Sequence, residues 1–447
     1  MTEKQNLSQT FAEHFAVLEK KLNGKSSTPQ HKARQEAMNR FKEVGFPSIK
    51  DEEWKYTSLT PLLKVHFQPV AEVPALAPVE EDIAQYRAGY PAAAELVFLN
   101  GAFSAELSKI FALPDNVFAG AMALAMEDNH PAIERHLGKH VKLDDNGFVS
   151  LNSAFLSDGL LIDVPDNTQI ELPIHVIHYT SSPGEDAVVA HPRKLVVAGR
   201  SASVKIIETH AGTAGSSYFT NYVSETVAAD NAQVETYLLQ HHNEDAFQIT
   251  NRYAVLGRDT NAKFFSFDFG GRLVRNDFTM VMNGEGGEGT LNGLFMPRGD
   301  QHIDNHTLID HAKPHCDSHE LYKGILDGES HGVFSGKIIV RQDAQKTDAK
   351  QANNNLLLSK KALVDTKPQL EIFADDVKCT HGATIGRMDE LALFYLRSRG
   401  IPAREANNVL SYAFASELVE GVSVEGLRNQ LDDYIHQRLE ESFSQEK

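Results

Sequence analysis

The sequence is poor in cysteine. Cys316 and Cys379 are the only two in 447 residues. That is too few for a disulfide framework and fits a reducing compartment. Long apolar runs are also missing. Residues 159–164 are among the longest, far short of the ~20 residues a membrane helix needs. Positive charge is scarce as well, with Lys plus Arg at 43 against 61 Asp plus Glu, a formal charge of -18. Such a surface repels phosphate backbones and anionic lipid, so neither nucleic acid nor membrane is an expected partner. The opening residues, MTEKQNLSQTFAEHF, have no basic segment leading into an apolar one. No signal peptide is expected, and the cytoplasm is the expected location.

Nucleotide-binding signatures fail too. Gly284, Gly286 and Gly289 spell GxGxxG, but no helical pattern follows, and Glu285 and Glu288 would repel a pyrophosphate. A glycine-rich turn between strands is the better reading. Residues 332–337 approach a phosphate-binding loop but are one residue short and run into Ile338 instead of Ser or Thr. No pair of carboxylates stands out as an acid/base couple, so no catalytic residue is assigned.

Hydrophobic residues make up 41% of the chain, enough for a large core in two or three parts. The first part has helical spacing: Phe11, Phe15, Leu18 and Leu22 share one face, as do Ala33, Ala37, Phe41 and Val44, with Gly45-Phe46-Pro47 as a stop. A Pro- and Ala-rich stretch, 69–91, reads as a connector. From about Glu95 the period changes to short β-rich runs punctuated by Gly, Asn and Asp, and this continues for nearly three hundred residues. Ala202-Ser203-Val204, Ala232-Gln233-Val234 and Ala262-Lys263-Phe264 echo one another at thirty-residue spacing, with a further strand at 218–227 between the first two. Two strands per period suggests a flattened β-solenoid, and a β-sandwich of hairpins is the alternative. After residue 386 helical patterns return. Leu391, Phe394 and Tyr395 mark one helix, with Gly400 as its cap and Pro402 in the first turn of the next. Ala406, Val409, Leu410, Ala413 and Phe414 mark that next helix. Leu427, Leu431, Ile435 and Leu439 mark the last, with Ser423 as candidate cap. The expected units are 1–92, helical with a connector; 93–386, the β core; and 387–447, helical.

One stretch is rich in metal-ligand types: His302, His306, His311, His315, Cys316 and His319. Imidazole and thiolate together suit zinc or iron, but the spacing matches neither a zinc finger nor HExxH. Hydrogen bonding within polar turns is the competing reading.

Four longer strings carry a resemblance. Residues 45–58 read GFPSIKDEEWKYTS around the single tryptophan, Trp54. Residues 306–324 read HTLIDHAKPHCDSHELYKG. Residues 335–359 and 362–396 read SGKIIVRQDAQKTDAKQANNNLLLS and ALVDTKPQLEIFADDVKCTHGATIGRMDELALFYL. Together they resemble the SufB/SufD family of iron–sulfur cluster assembly scaffolds, in wording closer to its SufD members. Residues 82–200 carry no such signature. The resemblance implies a right-handed parallel β-helix flanked by helical segments. It implies a non-catalytic subunit that pairs with a SufB paralogue and docks the ABC ATPase SufC through the helices from Asp389 onward. It implies no tightly bound cofactor in the isolated chain and a transient iron–sulfur cluster shared with SufB. SufB members carry an assembly cysteine where this chain has Ala362.

The resemblance further implies that His381, in KCTHGAT, sits at the SufB interface as a candidate iron or cluster ligand. Cys379, two residues away, would share its face of an extended strand and is a second candidate; a small buried apolar role is the alternative. A homodimer is expected if SufB is absent. Two other classes stay open: a metal-assisted, polysaccharide-active β-helix enzyme, and a stand-alone metal-binding protein using His302–His319.

Overall fold

The computed structural model describes residues 3–21, 28–69, 80–141, 143, 146–181 and 187–442. Helix α1 (Glu3–Lys21) buries Leu7, Phe11 and Phe15. The expected Leu22 lies outside the described residues. Helix α2 (Pro29–Val44) starts where the Thr28 hydroxyl accepts the His31 N–H and Pro29 fills the first position. It ends at Gly45, whose φ of 65° a side chain disfavours. Its buried face is His31, Ala37, Met38 and Phe41, and Ala33 is exposed, contrary to the expected stripe. The connector is only partly a connector. After helix α3 (Thr60–Leu63), strand β1 (Phe67–Pro69) and helix α4 (Glu80–Ala84) occupy its described ends.

The β region opens with β2 (Ala94–Leu99), β3 (Ala102–Ile110) and β4 (Phe118–Ala121). Three short helices then interrupt it: α5 (Met122–Glu127), α6 (Pro131–His136) and α7 (Gly147–Ala154). The β-rich reading missed all three. Helices of one or two turns show little periodicity, and α7 is buried on nearly every side, so no amphipathic stripe marks it.

From β5 (Leu160–Val164) and β6 (Ile174–Thr180) onward the chain winds as a solenoid of about seven turns. The strands are β7 (Ala187–Ala190), β8 (Arg193–Ala198), β9 (Ser203–Gly212), β10 (Tyr218–Ala228), β11 (Gln233–Gln240), β12 (Phe247–Leu256) and β13 (Asn261–Asp268). They continue as β14 (Leu273–Met282), β15 (Glu288–Phe295), β16 (His302–His311), β17 (Asp317–Leu326), β18 (His331–Val340), β19 (Asp348–Leu357), β20 (Leu363–Ile372) and β21 (Lys378–Arg387). Even-numbered strands from β8 build one sheet and odd-numbered strands from β9 the other. Every pairing in this run is parallel, which excludes a sandwich of hairpins. The sequence echo was right in kind and wrong in one step: Ala262 pairs with Val234, not with Ala232. The GxGxxG string forms the turn between β14 and β15 and runs into β15 at Gly289, and residues 332–337 lie within strand β18.

A repeated corner holds the coils in register. Asn167, Ser201, Asn231, Asp259, Gly286, His315 and Lys346 all have positive φ. Each donates its N–H to a carbonyl one coil on, for example Asn231 to Arg258 and His315 to Gln345. Short polar side chains tolerate this conformation best, which accounts for the Asn and Asp punctuation.

The interior packs Val204, Val234, Phe264, Phe278, Phe295 and Ile338 in one continuous core. The two outer faces are covered by different ends of the chain. Phe11, Phe41, Phe46 and Trp54 pack with Phe219, Phe247 and Leu273 on the even sheet. The C-terminal helices α9 (Ala403–Glu420) and α10 (Glu425–Ser442) pack Leu418, Leu427, Leu431, Ile435 and Leu439 on Tyr237, Phe265 and Phe267 of the odd sheet. The α10 stripe is as expected. In α9 the buried face is Ala406, Ser411, Ala415, Leu418 and Val419, so Val409 and Ala413 point to solvent. Ser423 does not cap α10; its hydroxyl donates to Glu235.

Gly293 shows how tight the interior is. A Cβ there would sit 2.2 Å from the buried Tyr322 ring. Gly293→Ala should therefore cost about 1–3 kcal/mol through overpacking, read by chemical denaturation. Gly120→Ala, where a Cβ meets nothing within 4 Å, is the control and should be near neutral.

Candidate functional site

A strand alternates its side chains, so each strand sends one row inward and one outward. On β19 the inward row is Ala349, Gln351, Asn353 and Asn355, all buried. The register places Cys379 beside Ala349 and His381 beside Gln351. Both candidate residues thus share one inward-facing row, as the alternation argument expects. What differs is the cover. Among the described residues β21 ends the odd sheet and no coil lies over it, so His381 is exposed although its row is inward.

Beneath His381 the same register position holds Gln351 and then Glu320. The Gln351 Nε2 donates to Glu320 at 2.7 Å. Burial pushes the Glu320 carboxyl up to about 7. Sequence inspection missed this carboxyl. Its signal was a lone Glu at an inward position of a strand. Cys379 is half-buried against the core, and burial pushes its thiol up. Ala362, at the start of β20, is buried in the same core.

The histidine-rich stretch does not converge. His302 and His306 point outward from β16, His311 points inward and pairs with the Ser318 hydroxyl at 2.9 Å, and His315 is an exposed corner. Cys316 is a core residue whose thiol is pushed up by burial, and His319 is exposed on β17. A single site built from His302–His319 is therefore excluded by topology: the residues occupy both faces of one sheet, a corner and the other sheet.

Two of these histidines instead meet the 45–58 segment. Trp54 lies in a short 3-10 turn, Glu52–Trp54, stacked on Phe148 and covered by the Arg275 guanidinium 3.8 Å above its ring. Arg275 donates to the Glu53 carbonyl at 2.6 Å, to Asp304 at 2.8 Å, and through two nitrogens to Asp277. The Thr57 hydroxyl donates to Asp304 and lies 2.8 Å from His302. His306 pairs with Asp304 at 3.0 Å and with Glu53 at 3.4 Å. Burial opposes charge on His306, but Asp304 and Glu53 outweigh it and hold the imidazole up at about 9. Burial likewise opposes charge on Asp304, and His306, Arg275 and His302 hold it well below the usual carboxylate range. Burial leaves His302 neutral, lowered to about 4. Lys367 of β20 reaches Glu52 at 2.6 Å, so the segment also touches the last coil.

Helix α8 (Glu390–Ser398) begins at Asp389, whose carboxylate accepts the N–H groups of Leu391 and Ala392, and Gly400 follows it at φ 89°. It buries none of its residues; Leu391 is 80% and Phe394 71% exposed.

The comparisons with known proteins bear on this arrangement as a whole. A family model described as the SufBD core domain of SUF system FeS cluster assembly matches residues 179–414. A second, described as the SufBD protein N-terminal region, matches 5–176. The chain belongs to the SufBD family. An iron–sulfur cluster assembly SufBD family protein of Synechocystis is 33% identical, covering 89% of this chain and 88% of that protein. Iron–sulfur cluster assembly protein SufD of Escherichia coli is 33% identical, covering 93% and 94%. SufD of Bacillus subtilis is 29% identical, covering 70% and 72%. As a SufBD protein the chain is an iron–sulfur cluster assembly protein, and the core match contains His381, Cys379 and the Arg275–Asp304 network. Among the described residues no helix is long and apolar enough to cross a membrane.

Two outcomes test the buried network. Arg275→Ala strips Asp277 of its bidentate partner and Asp304 of one of its two close counter-charges, and should destabilise the fold by about 3–5 kcal/mol, with faster proteolysis around residues 45–58. The second outcome concerns pH. The folded pKa of His306 lies above its ordinary 6.5, so its contribution is full below that value and is lost as pH rises through about 9. The thermal midpoint should fall across that alkaline window, and His306→Gln should flatten the fall.

Proposed function

We propose that this chain is a non-catalytic scaffold subunit that pairs with a SufB paralogue across its last coil and contributes His381 to a shared iron or cluster site. The observation that carries this reading is the uncovered end of the solenoid. β20 and β21 are each paired on one side only. Their free edges offer N–H and C=O groups to a further strand. The inward row there carries Val364, Leu370 and Ile372 on β20 and Ile385 on β21, with Thr366 and Arg387 as polar members and Cys379 and His381 as the ligand types. A second solenoid of like geometry continues both sheets and covers that row. A SufB paralogue fits this role best, and a second copy of this chain takes its place when SufB is absent.

His381 suits the chemistry. Imidazole is a good ligand for borderline iron and completes a site whose thiolates come from the paralogue. Gly382 beside it leaves open space, with nothing within 4 Å of where a Cβ would stand. Cys379 is the second donor proposed. Burial holds its thiol protonated, so it ligates only where incoming iron displaces the proton. Ala362 has no thiol, which leaves sulfur acceptance to the paralogue. ATP hydrolysis is assigned to SufC, docked on the exposed Leu391, Phe394 and Tyr395 of α8. The cluster is cargo, not a resident cofactor.

Co-expression of this chain with the paralogue and the ATPase tests both parts. His381→Ala should leave the complex intact by gel filtration and abolish its iron–sulfur absorbance. Normal cluster loading in that variant would rule out the ligand role. Leu391→Asp with Phe394→Asp should release the ATPase while the paralogue stays bound; retention of the ATPase would move its docking surface elsewhere.

A further inference from the structure

Among the described residues, one group of three ligand-type side chains converges, and it is far from the last coil. His178 of β6 and His210 of β9 are direct register partners on adjacent coils, both pointing inward, with ring centroids 4.7 Å apart. Glu208 lies two residues before His210 on the same row of β9. One ligand atom from each of the three lies within 4.8 Å of the others. All three are buried, at 5%, 0% and 1% exposure for His178, His210 and Glu208.

The hydrogen bonding points to a ligand. None of the four ring nitrogens of His178 and His210 has a hydrogen-bond partner. His178 Nε2 lies 3.8 Å from Glu208, too long for a hydrogen bond. An unsatisfied buried polar group costs about 1–3 kcal/mol, and folds rarely leave several side by side. Glu208, in contrast, is firmly held. The Lys194 ammonium donates to its Oε1 and the Tyr222 hydroxyl to its Oε2. Each carboxylate oxygen has two lone-pair sites, so one on each remains for the histidine side. The rings are fixed by packing, His178 on Phe98 and His210 edge-on to Tyr222. Fixed donors with their partners set behind them are what a metal site needs.

We propose that His178, Glu208 and His210 form a buried three-ligand site for a divalent first-row transition ion of the zinc or ferrous class. Two imidazoles and one carboxylate match that class and are poorly suited to calcium or magnesium, which take oxygen donors. The ion is sealed inside the coil stack and enters as the chain folds. It serves this chain alone. None of its three ligands is a residue assigned to the shared cluster.

The test uses the tag-free, full-length chain expressed alone. Elemental analysis of the purified chain should find one equivalent of zinc or iron. Refolding with Co²⁺ as the probe should give the visible absorption of cobalt bound to nitrogen and oxygen ligands. That absorption should vanish in His178→Gln and His210→Gln and persist in His381→Ala. Substoichiometric metal in the wild-type chain together with no cobalt absorption overturns the proposal. So does cobalt absorption that persists in both Gln variants or disappears only with His381→Ala.

Discussion

Hydrogen bonding between successive parallel coils is the constraint on which the rest of the molecule depends. A parallel strand satisfies its backbone only when another strand lies on each side. Inside the stack that condition is met by the next turn of the same chain. At the two ends it must be met differently. At the first end the chain does so itself: β3 runs antiparallel beside β2, and β4 antiparallel beside β5. At the last end, among the described residues, it does not, and β20 and β21 keep a free edge. The chain thus has one finished end and one open end, and the His381 row is on the open one.

The same constraint explains why the flanking helices are needed. A two-sheet solenoid has two outer faces, and here both are apolar enough to need cover. The N-terminal helices take one and the C-terminal helices the other. On the first face the cover is held by charge as well as by packing. Arg275 and Asp304 are each 1% exposed and would cost several kcal/mol if left single, but together with Thr57, Glu53 and His306 they are paired. Apolar replacements of such a network are often just as stable. The contribution we assign to it is therefore positional: Trp54 can dock only where its ring meets the Arg275 guanidinium.

Much of the fold was readable because its repeat leaves a mark on sequence. Gly, Asn and Asp recur where the corners require positive φ, and the named β-rich runs matched strands β9, β10, β11 and β13. Two features were not readable for physical reasons. Helices α5, α6 and α7 are too short or too evenly buried to show a period. Coil length varies, so a fixed thirty-residue spacing drifts out of register by Ala262. For the site, adjacency in sequence misled in one place and helped in another. His302, His306, His311 and His315 are close along the chain, yet the strand–corner–strand path sends them to different faces. His381 and Cys379 are two apart on one strand, and alternation alone placed them together. His178 and His210 were invisible as a pair because the stack, not the sequence, makes them neighbours.

That distinction separates two kinds of chemistry within one fold. An inward side chain of a covered coil is walled by the coil above and the coil below. It can act only within its own chain, as His178, Glu208 and His210 do in meeting one another across β6 and β9. An inward side chain of the last coil has a wall on one side only. Its register position is filled by Gln351 one coil back and Glu320 two coils back, both buried. The same position on β21 is accessible because the stack stops there. A group that must share a ligand sphere with a second protein is therefore confined to the last coil. His381 is the one imidazole on the inward row of β20 and β21. The accessibility of His381 follows from where the solenoid ends, more than from any special geometry around the histidine.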